Sequence, residues 1–219
     1  MDLLRNFISL SESLEIISAF YLFDLNNQLS LEVLSPKELE IYSKFTSLKR
    51  KREFIAGRIA CKKAFFKLTL GKADYFEKFP SISVLNTETG SPFIENSDLC
   101  VSVSHSHGVA IASISRHAIG VDIELIDPKK ILSLKRMSKE HPEGNVRDLT
   151  ILWTLKESLS KALRTGIIKE FSFYKTKNFQ FKNGIYHCNF ENFPFSGIAI
   201  SNNKYSLGIV KDRRIAIAS

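Results

Sequence analysis

Residues 100–125 read CVSVSHSHGVAIASISRHAIGVDIEL, and this stretch decides the architecture. Short β-branched runs alternate with turn residues, the pattern of strands joined in hairpins. In AIGVDIEL (118–125) successive side chains point to opposite faces, so Ile119, Val121 and Ile123 share one face and Asp122 and Glu124 the other. On a regular strand CVSVSHSHG (100–108) sets Ser102, Ser104 and Ser106 against Val101, Val103, His105 and His107. Working outward, the apolar spacing of Phe54, Ile55, Ile59, Phe66 and Leu70 predicts a helix over about residues 49–70, ended by Gly71, and Ser35-Pro36 caps a shorter one before it. Downstream, Leu152, Leu155, Leu159 and Leu163 form the stripe of a helix over about residues 148–163. Strands follow in FSFYKTKNFQF, IYHCNF, GIAIS and KYSLGIV, with turns at Asn183-Gly184 and Asn202-Asn203. Helices then strands, then a helix then strands, predict an α+β fold of two similar halves, residues 1–115 and 116–219, each a helix packed on a small antiparallel sheet.

The 219 residues are 44% apolar and 25% charged, an ordinary globular composition that excludes disorder, coiled coil and collagen-like repeats. No apolar run is long enough to span a membrane, and residues 1–10 lack the layout of a signal peptide. Cys61, Cys100 and Cys188 suit neither a disulfide framework nor a zinc site, so a cytoplasmic protein is expected. Residues 44–67 hold nine bases against Glu53 alone, an excess equal to the whole net charge of +8. Such a concentration points to an anionic partner or to a solvated helix face.

Three groups of residues could carry chemistry. Asp122 and Glu124, about 7 Å apart along one strand face, can share a hard cation through oxygen or simply show acids to water on an edge strand. Glu157 and Lys161 lie together at i,i+4, as a surface ion pair or as a third metal carboxylate beside a phosphate-contacting lysine. Trp153, one turn earlier, walls a site or packs in the core. His105 and His107 have no further ligand at a zinc-like spacing, and Ser104 and Ser106 lie in no GxSxG elbow, so zinc and hydrolase readings fall away.

The order of these motifs is more specific than any one of them. VSHS, then IGVDIE, then WTLKESLSK resembles the Sfp-type 4′-phosphopantetheinyl transferases, whose signature is an (I/V)G(I/V)DIE strand followed by a W-x-x-K-E-S-x-x-K helix. FIAGRIACKKAF (54–65) and GSPF (90–93) extend the resemblance. It implies two pseudo-two-fold related α+β halves with coenzyme A in the cleft between them. It further implies that Asp122, Glu124 and Glu157 hold Mg²⁺, that Lys161 binds the pyrophosphate, and that His105 with Ser104 takes the nucleotide end. The implied reaction moves the 4′-phosphopantetheine arm of coenzyme A onto a serine of an apo acyl or peptidyl carrier protein, releasing adenosine 3′,5′-bisphosphate, with Glu157 as general base. A monomer is expected, with neither nucleic acid nor membrane as partner.

Two departures from the family pattern bear on the nucleotide. Gly90-Ser91-Pro92 carries serine where the family's G-K-P motif has a phosphate-reaching lysine, and Glu38 and Ile41 stand where relatives often place bases. The loss predicts weaker coenzyme A binding and poor discrimination against its dephospho form, unless Arg50, Arg52 or Arg58 fills the same space. The rival readings are a Mg²⁺-dependent nucleotide pyrophosphohydrolase and a nucleic-acid-binding module built on the basic helix.

Overall fold

Ser47 and Gly71 set the ends of the longest helix: the serine hydroxyl accepts from the backbone N–H of Arg50, and glycine takes the left-handed conformation, φ +73°, that closes the last turn. The computed structural model describes residues 1–24, 29–139, 141, 143–165 and 171–213. In chain order its elements are α1 (Asp2–Glu12), β1 (Ile17–Leu22), α2 (Pro36–Ser43), α3 (Leu48–Leu70), β2 (Val84–Asn86), β3 (Pro92–Ile94), β4 (Cys100–Ser106), β5 (Val109–Ser115) and β6 (Ile119–Leu125). After these come α4 (Ile131–Met137), α5 (Val146–Ala162), β7 (Thr176–Lys182), β8 (Ile185–Phe190), β9 (Phe193–Ser201) and β10 (Tyr205–Asp212). The chain divides into two compact units, Ile8–Arg116 and His117–Ser219, the second also taking Met1–Phe7. Residues 1–7, placed in the first half on sequence, thus group with the second.

In the Ile8–Arg116 unit a three-stranded antiparallel sheet, order β1-β5-β4, carries α3 on one face. Ala56, Ala60, Cys61 and Ala64 line that contact, and their small size lets the helix lie close on Ala110 and Ala112 of β5. The other side of α3 is also covered: Phe54, Ile55, Ile59 and Phe66 pack with Leu34 and Phe79. A helix buried on two sides shows little amphipathic contrast in its sequence. Arg58 and Lys62, two of the nine bases, are therefore buried, and the solvated-face reading fails for them. β2 and β3 form a separate two-stranded hairpin.

The second unit is built on a five-stranded antiparallel sheet, order β6-β10-β9-β8-β7, with α5 across it. Asn145 caps α5 by accepting from the N–H of Asp148. Ile151, Leu155 and Leu159 pack with Phe190, Phe195, Ala199 and Val210 of the sheet. Gly120 on β6 makes the closest approach, since a Cβ there would stand 1.8 Å from the Ser158 carbonyl oxygen. The glycine of the IGVDIE motif is thus required by helix–strand packing.

Several elements differ from the sequence expectation. His107 does not continue β4; with φ +43° it forms, with Gly108 at +83°, the two-residue turn into β5. Phe171–Tyr174 is a 3₁₀ turn rather than strand, Leu163 lies just past the end of α5, and Leu70 is exposed. α1, β1, β3 and α4 had no sequence assignment. β1 escaped notice because it buries a serine: Ser18 and Ser113 face each other across β1 and β5 with hydroxyls 2.7 Å apart. No helix among the described residues is long and apolar enough to cross a membrane.

Candidate active site

The even-numbered face of β6 is turned toward α5. That geometry follows from Gly120, and it carries Asp122 and Glu124 to the same side. Lys161, one turn beyond Glu157, donates from Nζ to Asp122 Oδ1 at 2.7 Å and to the Val121 carbonyl at 3.2 Å. Trp153, one turn before Glu157, donates from Nε1 to Glu124 Oε1 at 3.1 Å, and Lys130 Nζ stands 3.6 Å from Glu124 Oε2. Trp153 therefore walls the carboxylates rather than serving only as core. β6 is an edge strand of its sheet, yet Asp122 is only 4% exposed, so the reading of acids shown to water fails. Lys161 pairs with Asp122 and not with Glu157, so the surface i,i+4 pair is not what this helix face is for.

Charge is crowded here. Burial, then the Asp122 and Glu124 carboxylates, push the Glu157 carboxyl up to about 7, with Lys161 opposing. Glu124 is raised as well, by burial first and then by Asp122, against the Trp153 hydrogen bond and the charges of Lys130 and Lys161. Among the described residues no three His, Cys, Asp or Glu side chains form a preformed metal cage. The donor set is nevertheless all oxygen, and its three carboxyl groups face the ammonium groups of Lys161 and Lys130. Those residues fit a hard divalent cation in chemistry.

A second concentration of candidate residues lies within the other unit. A cavity of about 400 Å³ is lined by Arg50, Arg58, His105, Asn86, Gly90 and Pro92, with Ile41, Phe45 and Phe54 as its apolar walls. Glu53 also lines it, its carboxylate 3.7 Å from His105 Nδ1. Four residues singled out on sequence, Arg58, Gly90, Pro92 and His105, thus meet in one place. Three others, Arg52, Ser91 and Ser104, do not line it. Ser104 is buried within its sheet, and Ser91 closes the β2–β3 turn through its backbone N–H to Thr87 Oγ1 at 3.1 Å. Of the three arginines named on sequence, Arg50 and Arg58 line the cavity and Arg52 does not, because two positions along a helix turn a side chain to another face. Asn86 gave no sequence signal beyond that of a turn residue.

Residues 118–218 match the family model described as the 4′-phosphopantetheinyl transferase superfamily, and residues 41–115 match the 4′-phosphopantetheinyl transferase N-terminal domain. The chain belongs to the 4′-phosphopantetheinyl transferases. As a member of that family it is a transferase, and each of its units contains one of the matched segments. It is 42% identical over 89 residues to the holo-[acyl-carrier-protein] synthase of Enterococcus faecalis, covering 37% of this chain and 72% of that protein. To the 4′-phosphopantetheinyl transferase gsp of Aneurinibacillus migulanus it is 33% identical over 101 residues, 42% of each chain. A solved holo-(acyl-carrier-protein) synthase from Bacillus anthracis str. Ames, in complex with CoA (3′,5′-ADP), aligns over 45% of this transferase and 94% of that chain, at 27% identity and a TM-score of 0.38.

Proposed function

We propose that this transferase moves the 4′-phosphopantetheine arm of coenzyme A onto a serine hydroxyl of an apo acyl or peptidyl carrier protein in a Mg²⁺-dependent reaction. The observation that carries the reading is the cluster made by β6 and α5: Asp122 under Lys161 at 2.7 Å, Glu124 under Trp153 at 3.1 Å, and Glu157 on α5 within the electrostatic reach of both carboxylates. The serine oxygen attacks the β-phosphorus of the pyrophosphate, the bridging P–O bond breaks, and adenosine 3′,5′-bisphosphate leaves with the electron pair.

Asp122, Glu124 and Glu157 are the residues that would hold Mg²⁺, which when bound neutralises charge on the pyrophosphate oxygens. Glu157 takes the serine proton, directly or through a water. Lys161, held at Asp122, has its ammonium at the same place and stabilises the leaving phosphate. In the other unit, the cavity with Arg58, Arg50 and His105 over apolar walls suits the phosphorylated nucleotide end of coenzyme A. The acceptor hydroxyl comes from the partner, so the chain needs no activated nucleophile of its own.

The test is mass spectrometry of a mixed panel of apo carriers incubated with coenzyme A and Mg²⁺. Addition of one phosphopantetheine arm to any of them is expected. Release of nucleotide without labelled carrier would instead favour a pyrophosphohydrolase.

A further inference from the structure

Ser206 on β10 carries a hydroxyl that the fold buries and does not use. It is 0% exposed, and its Oγ has no hydrogen-bond partner among the described residues. The β9–β10 turn pins the start of its strand: Asn202 Oδ1 accepts from the backbone N–H groups of Lys204 at 2.8 Å and Tyr205 at 2.7 Å. In the register of β10 with β6, Ser206 lies opposite Glu124 and Gly208 opposite Asp122. Residues paired in this way share a sheet face, with Cβ atoms about 4.5–5.5 Å apart. The shared face is the one under α5, since a Cβ at Gly208 would stand 3.0 Å from Thr154 Cγ2. Ser206 therefore lies beneath α5 and beside the carboxylates of the candidate active site.

The other hydroxyls of this layer are satisfied. Thr150, Thr154 and Ser158 on α5 donate to the carbonyls four residues back, at 2.7, 2.8 and 2.8 Å. A helix offers a hydroxyl that local acceptor, and a strand does not. In the other unit Ser18 and Ser113, paired across β1 and β5, bond to each other at 2.7 Å. Ser201, paired with Ser206 on β9, gives it no such bond. An unpaired buried hydroxyl is destabilising, so its retention calls for an acceptor. Glu124 is the acceptor at hand. Trp153 Nε1 occupies one site on its Oε1 and Lys130 stands 3.6 Å from its Oε2, which leaves the carboxylate lone pairs to spare. Among the described residues no three such side chains stand ready to hold an ion, so Glu124 must re-aim its carboxylate to share one with Asp122 and Glu157. β6 is an edge strand with β10 as its one sheet neighbour, and the side chain directly opposite Glu124 is that of Ser206.

We infer that Ser206 is a positioning residue of this transferase: its hydroxyl donates to the Glu124 carboxylate when that carboxylate turns to hold the divalent cation. The inference rests on the proposed function for the ion, and it adds a residue that touches neither ion nor substrate. A carboxylate that ligates a metal is itself held by hydrogen bonds, and losing such a partner costs about 10- to 100-fold in affinity. A hydroxyl is neutral, so it orients the carboxylate without competing with the ion for its charge, as the Lys130 ammonium does. In the metal-free protein the same hydroxyl works against stability. Its removal therefore has two effects of opposite sign, which a packing role for Ser206 does not produce.

The experiment titrates Mg²⁺ calorimetrically into the protein, with and without coenzyme A, and unfolds the metal-free protein in denaturant. For Ser206→Ala the dissociation constant of Mg²⁺ is expected to rise by about tenfold or more, while the metal-free denaturant midpoint equals that of wild type or moves up. Carrier labelling should need correspondingly more Mg²⁺ to reach half its maximum. Ser201→Ala, a truncation on the neighbouring strand, should leave Mg²⁺ affinity as it is. Unchanged Mg²⁺ affinity in Ser206→Ala overturns the inference. So does a lowered metal-free midpoint, which would mean that the hydroxyl is already paired through water, or an equal loss of affinity in Ser201→Ala. If wild type binds Mg²⁺ in this Ser206-dependent way yet labels no carrier, the proposed reaction fails and the role of Ser206 stands. If wild type and Ser206→Ala label carrier with the same Mg²⁺ requirement, the inference fails and the reaction stands.

Discussion

Glu157 couples the candidate site to stability. Its carboxyl is raised from 4.5 to about 7 in the metal-free protein. A raised folded-state value means that the folded chain holds the proton more tightly, so its contribution is fully present below pH 4.5 and is lost as pH rises through 7. Denaturant unfolding of metal-free protein is therefore expected to show stability falling from pH 5 to pH 8. Glu157→Gln should flatten that fall and be the more stable protein at pH 8, by about 1–3 kcal/mol. The same variant is expected to abolish carrier labelling; turnover near that of wild type at saturating Mg²⁺ would remove Glu157 from both of its roles. Mg²⁺ should in turn stabilise wild type at pH 8, by about 2.7 kcal/mol at a hundred times its dissociation constant. Asp122→Asn, which keeps the shape beneath Lys161 and removes a charge, should blunt that stabilisation in a thermal melt. An equal shift in both proteins would place the ion elsewhere.

At the scale of elements, the decisive contact is α5 on β6. Asp122 and Glu124 belong to the strand and Glu157 and Lys161 to the helix, so the spacing between the two sets how far apart the charges stand. Gly120→Ala puts a methyl 1.8 Å from a backbone carbonyl that cannot rotate away. Helix and strand must separate, at a cost expected near the top of the range of about 1–3 kcal/mol seen for overpacked cores. Carrier labelling should fall in the fraction that remains folded, which separates this outcome from simple destabilisation. In the other unit the corresponding fastening is Glu38. Glu38→Ala strips buried Lys62 of its carboxylate and leaves the Ser35 and Val84 N–H groups without an acceptor. A loss of about 3–5 kcal/mol by denaturant unfolding is expected. A loss under 1 kcal/mol would mean that water replaces the carboxylate.

Across the whole molecule the net charge of +8 does not lie on one open basic face. Of the nine bases in residues 44–67, Arg58 and Lys62 are buried, and Lys63 and Lys67 are paired with Asp74 and Glu12. Duplex DNA should consequently bind no better than a non-specific ligand, with dissociation constants of about 10⁻⁴–10⁻⁶ M at physiological salt. A titration showing much tighter binding that survives Asp122→Asn would revive the nucleic-acid reading.

The two signature motifs were legible because their chemistry is local. A period of two puts Asp122 and Glu124 on one strand face, and four residues along a helix put Glu157 above Lys161. Helix ends were legible for the same reason, through Ser35 and Gly71. Partners distant in sequence were not. That Lys161 turns to Asp122, that Trp153 reaches Glu124, and that Asn86 orients Arg58 are contacts across 39, 29 and 28 positions. No periodicity encodes them. The sequence by itself determined which residues could do phosphoryl-transfer chemistry and on which elements they ride. Only the tertiary structure decided which arginines face the cavity, because α3 is buried on two sides and a helix covered on both has no stripe to read.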